Sequence, residues 1–184
     1  MSRISAVKPN EASGEAKQLL DAVQAKLGIT PNFIKVLANS PKSLAAYLNF
    51  SSSLSEGILD AKTQERLALA TAEQNGCQYC VSAHTAIGKK VGLDNAEIEA
   101  ARKGTSEDAR ADAALKFSRA LIDSRGEVTT AEVEAVRQAG LSDGEIVEVI
   151  SHTALNILTN YLGKASRVEI DFPKVQLLTK AVAQ

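Results

Sequence analysis

Tryptophan is absent from this chain, and three Tyr and four Phe are its only aromatic residues. An interior so poor in rings is filled by Leu, Ile, Val and Ala. That favours close helix packing over a sheet, where β-branched and aromatic residues dominate. A surplus of either charge is also missing: 21 basic against 22 acidic residues leave a formal charge of -1. Nucleic acid therefore has no basic footprint to bind. No stretch of roughly 18 apolar residues occurs, so no membrane span is expected. The opening Met1-Ser2-Arg3-Ile4-Ser5-Ala6-Val7-Lys8-Pro9 lacks the apolar run of a secretory leader, and the expected location is cytoplasmic. Cysteine is scarce, with two residues in 184. Thiols stay reduced in the cytoplasm and a structural disulfide is not expected there. Two cysteines three positions apart point instead to catalysis or to a metal.

What is present suits a single all-helical domain over residues 1–184. Hydrophobic residues make up 45% of the chain, enough for a core without disulfide staples. Gly, Pro and capping residues divide it into about eight helices. Glu11 to Leu27 carries a helical apolar stripe that stops at Gly28, and Pro31 to Ala38 reads as a short helix. Ser40-Pro41 opens a helix to about Ser55 as cap and first helical residue. Asp60 caps a helix ending near Asn75-Gly76, and another runs from about Cys77 to before Gly92. Shorter segments at Asn95–Lys103 and Ala131–Gln138 flank a longer one from Asp108 to Ser124. Ser142 caps the last strong helix, which reaches about Leu162. Ile170-Asp171-Phe172-Pro173 reads as an ordered turn, and the final residues as a frayed helix.

A faint internal repeat accompanies this pattern. Phe50-Ser51 with Leu54 and Gly57 recurs as Phe117-Ser118 with Leu121 and Gly126. Gly92-Leu93-Asp94 with Glu97-Ile98 recurs as Gly140-Leu141-Ser142 with Glu145-Ile146. Any helix hairpin uses Gly, caps and Leu in this way, so duplication and shared grammar both account for it.

The chemistry-bearing residues cluster at Cys77-Gln78-Tyr79-Cys80. Helical spacing of three puts both sulfurs on one face, close enough to bond. Cys77, at the helix start, feels the positive dipole end, which favours thiolate. His84 lies one turn beyond Cys80 and can take a thiol proton near neutral pH. Glu65 sits on the preceding helix, and a hairpin about Gly76 would bring its carboxylate to His84. Each residue also has a plainer reading: a buried Cys as an apolar filler, His84 as an ordinary side chain, Glu65 as a solvated helical charge. The spacing of all four is what outweighs those readings. Zinc would need a fourth ligand, and three donors from one helix start fit it poorly, so no metal or cofactor is expected. A thioredoxin-like fold places its Cys-x-x-Cys after a strand, and no strand pattern is present.

Glu65, eleven intervening residues, Cys77-x-x-Cys80-x-x-x-His84 and then Gly92-Leu93 resemble the alkylhydroperoxidase D and carboxymuconolactone decarboxylase superfamily. Leu44-Tyr47-Phe50 and the late Leu155-Asn156-Ile157-x-x-Asn160-Tyr161 stretch, ending in Asp171-Phe172-Pro173, are similar to its peroxidase-related branch. The resemblance covers about residues 30 to 173. It implies an all-helical fold, assembly as a homo-oligomer (a trimer or hexamer), and thiol-dependent reduction of a hydroperoxide substrate. In that scheme Cys80 attacks the peroxide, Cys77 resolves the product as a disulfide, and His84 with Glu65 relays the proton. The electron donor it suggests is a dithiol carrier such as a lipoylated protein. One departure stands out: the best-studied branch has a histidine just before the second cysteine, where this chain has Tyr79, which does not titrate near pH 7.

His152, Asn156 and Asn160 recur every four residues as a polar stripe in an otherwise apolar helix. They read either as a hydrogen-bonded core or subunit contact, or as a lining of the substrate pocket. Two rivals to peroxide reduction remain at this stage. A carboxymuconolactone-type decarboxylase needs no cysteine pair, and a non-catalytic redox sensor or assembly module needs no substrate.

Overall fold

The computed structural model describes residues 2–178. Among them are nine helices and no strand: α1 (Gly14–Leu27), α2 (Asn32–Leu37), α3 (Pro41–Ser55), α4 (Ala61–Gln74), α5 (Gln78–Lys90), α6 (Asn95–Arg102), α7 (Ala109–Asp123), α8 (Thr130–Gln138) and α9 (Asp143–Ser166). Each of the nine falls on a segment marked in the sequence, the short Pro31–Ala38 segment included, so the round count of eight is one too few. Most starts are set by side-chain caps. Asp60, Asp94 and Asp108 accept backbone N–H groups of the first turns of α4, α6 and α7. Thr129 with Glu132 and Ser142 with Glu145 form reciprocal capping boxes on α8 and α9.

α4 is the central helix. Leu67, Leu69 and Ala72 lie on different sides of it and are all buried, as expected of a helix surrounded by others. It divides the interior into two apolar clusters. One gathers residues of α1, α2, α3 and α5 with the segment after α9, and includes both cysteines. The other gathers Leu67, Leu69 and Ala70 of α4 with residues of α6, α7, α8 and α9.

The internal repeat is real in geometry, but in only one of its two expected registers. A constant shift of 48 positions carries Asp60, Lys62, Gly92, Leu93 and Glu97 onto Asp108, Arg110, Gly140, Leu141 and Glu145. Gly92 and Gly140 both take positive φ, 90° and 94°. Each is followed by a Leu buried in the same cluster. A Cβ on Gly92 would touch Lys62 and one on Gly140 would touch Arg110, so the backbones meet the same neighbours. The helices α4-α5-α6 and α7-α8-α9 are thus matched units. The Phe50/Phe117 correspondence fails: Phe50 on α3 is exposed, whereas Phe117 on α7 is buried, and α3 belongs to neither unit.

α9 runs four residues beyond its expected end, to Ser166, where Arg167 takes a left-handed conformation and closes it. The extra turn matters because α9 grips the α4–α5 turn. The Asn75 amide donates to Asn160 Oδ1 at 2.9 Å, and the Lys164 ammonium donates to the Asn75 carbonyl. Residues 168–178 then cross back as an extended strap rather than a helix. The remainder of the expected frayed helix lies outside the described residues. Val175 N–H donates to Ser82 Oγ, Gln78 donates to the Val175 carbonyl, and Leu178 N–H donates to Glu73.

Asn160 is fully buried, at 0% exposure, and its bond to Asn75 holds the turn on which the cysteines follow. Asn160→Ala is expected to lower unfolding free energy by about 1–3 kcal/mol, the cost of stranding a polar partner. Urea denaturation would measure it, and an unchanged midpoint would show that the turn holds without α9.

Candidate active site

The α4–α5 hairpin turns at Asn75-Gly76, and Cys77 N–H closes it by donating to the Ala72 carbonyl at 2.9 Å. Cys77 is the N-cap of α5 rather than part of its first turn, and its sulfur accepts the Cys80 N–H at 3.4 Å. Cys77 and Cys80 are joined as a disulfide, with Cα atoms 5.3 Å apart. Both are deeply buried, at 1% and 3% exposure. They differ in what they face: Cys80 lines a cavity of about 290 Å³, and Cys77 is not part of its wall. The greater solvent access that proximity to the helix end suggests for Cys77 is therefore not found.

The hairpin delivers Glu65 to His84 as the spacing predicts. His84 Nδ1 and Glu65 Oε2 are 2.8 Å apart, both largely shielded and both in the cavity wall with Cys80. A carboxylate accepts, so Nδ1 carries the hydrogen and Nε2 is left as a proton acceptor. Fixing the tautomer through the second nitrogen is how an imidazole is prepared for proton transfer.

Tyr79 lines the cavity, and its hydroxyl is committed to two partners. Its hydroxyl donates to Asp171 Oδ1 at 2.9 Å and accepts Phe33 N–H at 3.2 Å. Burial, reinforced by the Asp171 charge, pushes its ionisation far above the ordinary tyrosine range. Asp171 also accepts Asn32 N–H at 2.7 Å, so one carboxylate ties the strap to α2 and to one of the two residues between the cysteines. Tyr79, Phe33, Tyr47 and Phe172 pack ring to ring, with centroids 5.2 to 6.2 Å apart. Four of the seven aromatic residues of the chain are spent here.

The polar stripe of α9 is split. His152 and Asn156 line the cavity and Asn160 does not. At 3.6 residues per turn, seven positions return a side chain to nearly the same face, and eight overshoot it by most of a quarter turn. The face begun by His152 and Asn156 therefore continues through Thr159, which lines the cavity, and then Gly163. A Cβ at Gly163 would lie 3.1 Å from Cys77 Sγ and 3.7 Å from Cys80 Sγ, so glycine lets α9 pass close behind the sulfurs. Thr159 and Gly163 were not singled out from the sequence, although the 3.6 period of the stripe points to both. Burial lowers the His152 pKa against the pull of Glu148, Glu65 and the Leu54 backbone, and so favours the neutral ring. Tyr47, whose ionisation burial also raises, Ser51 and Ser55 form the α3 wall of the cavity. Among the described residues, no group of three or more His, Cys, Asp or Glu side chains is placed to hold a metal ion.

No helix among the described residues is long and apolar enough to cross a membrane. Residues 41–123, which include Glu65, both cysteines and His84, match the model of the carboxymuconolactone decarboxylase family. The fold is similar to that of a peroxidase-related protein of Ralstonia eutropha with an alkylhydroperoxidase AhpD core, at TM-score 0.83 and 25% identity over 92% of each chain. A peroxidase-related protein of Silicibacter superposes with TM-score 0.78 at 24% identity, covering 92% of this chain and 94% of that one. Among curated sequences, an uncharacterized protein of Haemophilus influenzae is 49% identical over 45 residues, which are 24% of this chain and 40% of that protein. The helical order, the matched residues and these likenesses make the chain similar to the alkylhydroperoxidase D and carboxymuconolactone decarboxylase superfamily.

Proposed function

We propose that the chain is a thiol-dependent hydroperoxide reductase that cycles Cys77 and Cys80 between dithiol and disulfide. The observation that carries this reading is the asymmetry of the pair. Cys80 faces the cavity together with the Glu65–His84 couple, and Cys77 sits behind it. In the reduced protein His84 takes the Cys80 proton, and the thiolate attacks the terminal peroxide oxygen. The O–O bond breaks, the alkoxide leaves and collects the proton as an alcohol, and Cys80 becomes a sulfenic acid. The Cys77 thiol then displaces water from it, closing the disulfide.

Regeneration uses the same asymmetry. An incoming thiolate reaches Cys80, and Cys77 departs as a thiolate stabilised at the α5 N-cap, which suits it as leaving group. Two electrons and two protons are required, and a dithiol carrier such as a lipoylated protein supplies both. A carboxymuconolactone-type decarboxylase has no use for the sulfur pair, so the disulfide within the site weighs against that rival.

The same reading includes a homo-oligomer, trimeric or hexameric. Val147, Ile150, Ala154, Leu158 and Tyr161 form an exposed apolar stripe along the outer side of α9, and an unpartnered stripe of this kind marks an association surface. Leu158→Glu is expected to reduce the mass measured by light scattering, and a wild-type monomer would refute the assembly.

Stopped-flow oxidation of the reduced protein tests the chemistry. Cys80→Ser is expected to abolish peroxide consumption, while Cys77→Ser consumes one equivalent and stalls as a sulfenic acid visible by mass spectrometry. The opposite pattern would reverse the two roles. His84→Gln and Glu65→Gln should each slow the attack by about a hundred- to ten-thousand-fold. Their losses should not add, since the two act as a unit, and raising pH should restore part of the rate by forming thiolate without the relay. Unchanged rates at pH 7 would show that the couple has no part in activating the sulfur.

A further inference from the structure

The cavity that contains Cys80 holds charge of one sign. Glu65 lines it, and among the described residues no Lys or Arg does. The partner of that carboxylate is the His84 ring, neutral in its proton-accepting form. When Cys80 passes a proton to His84 a thiolate appears at the same moment, so the sum in the wall stays at one negative charge. Two further carboxylates stand behind it, each held by uncharged donors. Asp171 accepts the Tyr79 hydroxyl and Asn32 N–H, and Glu148 accepts the N–H groups of Ile58 and Leu59. Their charge is felt inside: Asp171 acts on Tyr79, Glu148 and Glu65 act on His152, and Glu65 acts on Tyr47.

An ion that enters such a space gives up its water and needs a counter-charge or several donors in return. Most donors of the wall are already engaged. The Gln64 amide donates to the Leu59 carbonyl at 2.7 Å, and the Asn156 amide to the His152 carbonyl at 2.8 Å. The Thr159 hydroxyl donates to the Asn156 carbonyl, and the Ser55 hydroxyl to the Ser52 carbonyl. The hydroxyls of Tyr47 and Ser51 are left, and two neutral donors do not replace the hydration shell of an anion.

We propose that the cavity selects uncharged hydroperoxides with a small apolar body and turns away those that carry a carboxylate. The hydroperoxide itself rests on the reductase reading, whereas the discrimination against anions rests on the cavity alone. An uncharged ligand needs few polar contacts, and Ile34, Ile87, Leu155 and Phe172 offer surface to its body. The volume of about 290 Å³ lies just under the usual span of ligand pockets, so that body is small. The same charge bears on the decarboxylase rival, whose substrate is a lactone acid and therefore an anion at neutral pH. This wall has no group to hold it.

The first arm of the test needs no catalysis. The disulfide form of the full chain is titrated by NMR at pH 7 with para-isopropylbenzamide and with para-isopropylbenzoate, which share a shape and differ in charge. The amide is expected to bind about tenfold tighter or more, since like charges brought together cost several kcal/mol. Ser55→Lys sets a cation at the exposed α3 end of the wall and should narrow that gap several-fold. Equal affinity, tighter binding of the benzoate, no binding of either, or a gap that Ser55→Lys leaves unmoved would each overturn the selection. The second arm follows Cys80 oxidation in the reduced protein with cumene hydroperoxide and its para-carboxylate. A preference for the amide without oxidation of Cys80 by either peroxide sinks the reductase and keeps the selection. Oxidation of Cys80 by both peroxides at equal rates does the reverse.

Discussion

Glu65 and His84 come from two helices, and their 2.8 Å contact requires the α4–α5 hairpin to close in one register. A slip of one residue in either helix would rotate a side chain by about 100° and take it out of reach. The register is fixed from three directions. Cys77 N–H closes the turn onto α4, Asn160 and Lys164 hold Asn75 from α9, and the strap bonds Glu73, Gln78 and Ser82 from the far side. The placement of Cys80 beside this couple depends on the same arrangement.

Two shielded ion pairs work in the same direction. Arg66 meets Glu97 at 2.6 Å and Arg102 meets Glu73 at 2.8 Å, all four groups being mostly out of solvent. Pairs of this kind add little net stability, because desolvation offsets their attraction, but separating one strands a buried charge. They join α4 to α6 in a single alignment. Alternative packings of an Ala-rich interior, which differ little in apolar area, are thereby disfavoured.

Much of this was legible in the sequence because it is written in local rules. Caps and glycines marked the helices to within a few residues, and the three- and four-residue spacing of Cys77, Cys80 and His84 gave the active face of α5. Glu65 was legible only through the hairpin, which Asn75-Gly76 announces. The polar residues of α9 were harder. A spacing of four drifts around a helix, so His152, Asn156 and Asn160 looked equivalent when the third faces elsewhere. Tyr79 was hidden for another reason. Its partners, Phe33 and Asp171, lie 46 and 92 residues away in sequence, and no local pattern encodes a contact that tertiary packing creates. The unequal access of the two sulfurs is likewise a property of the assembled cavity and not of the motif.

The strap also sets an order of events. Asp171 and Val175 follow α9 in the chain, so they leave the ribosome after the helices that build the rest of the cavity wall. Domains mature from the N-terminus as synthesis proceeds. During that interval the helices can pack and the two thiols can sit side by side, while the Tyr79 hydroxyl still lacks its acceptor and the cavity still lacks Phe172. The newborn protein thus has both cysteines before it has the wall that completes their surroundings.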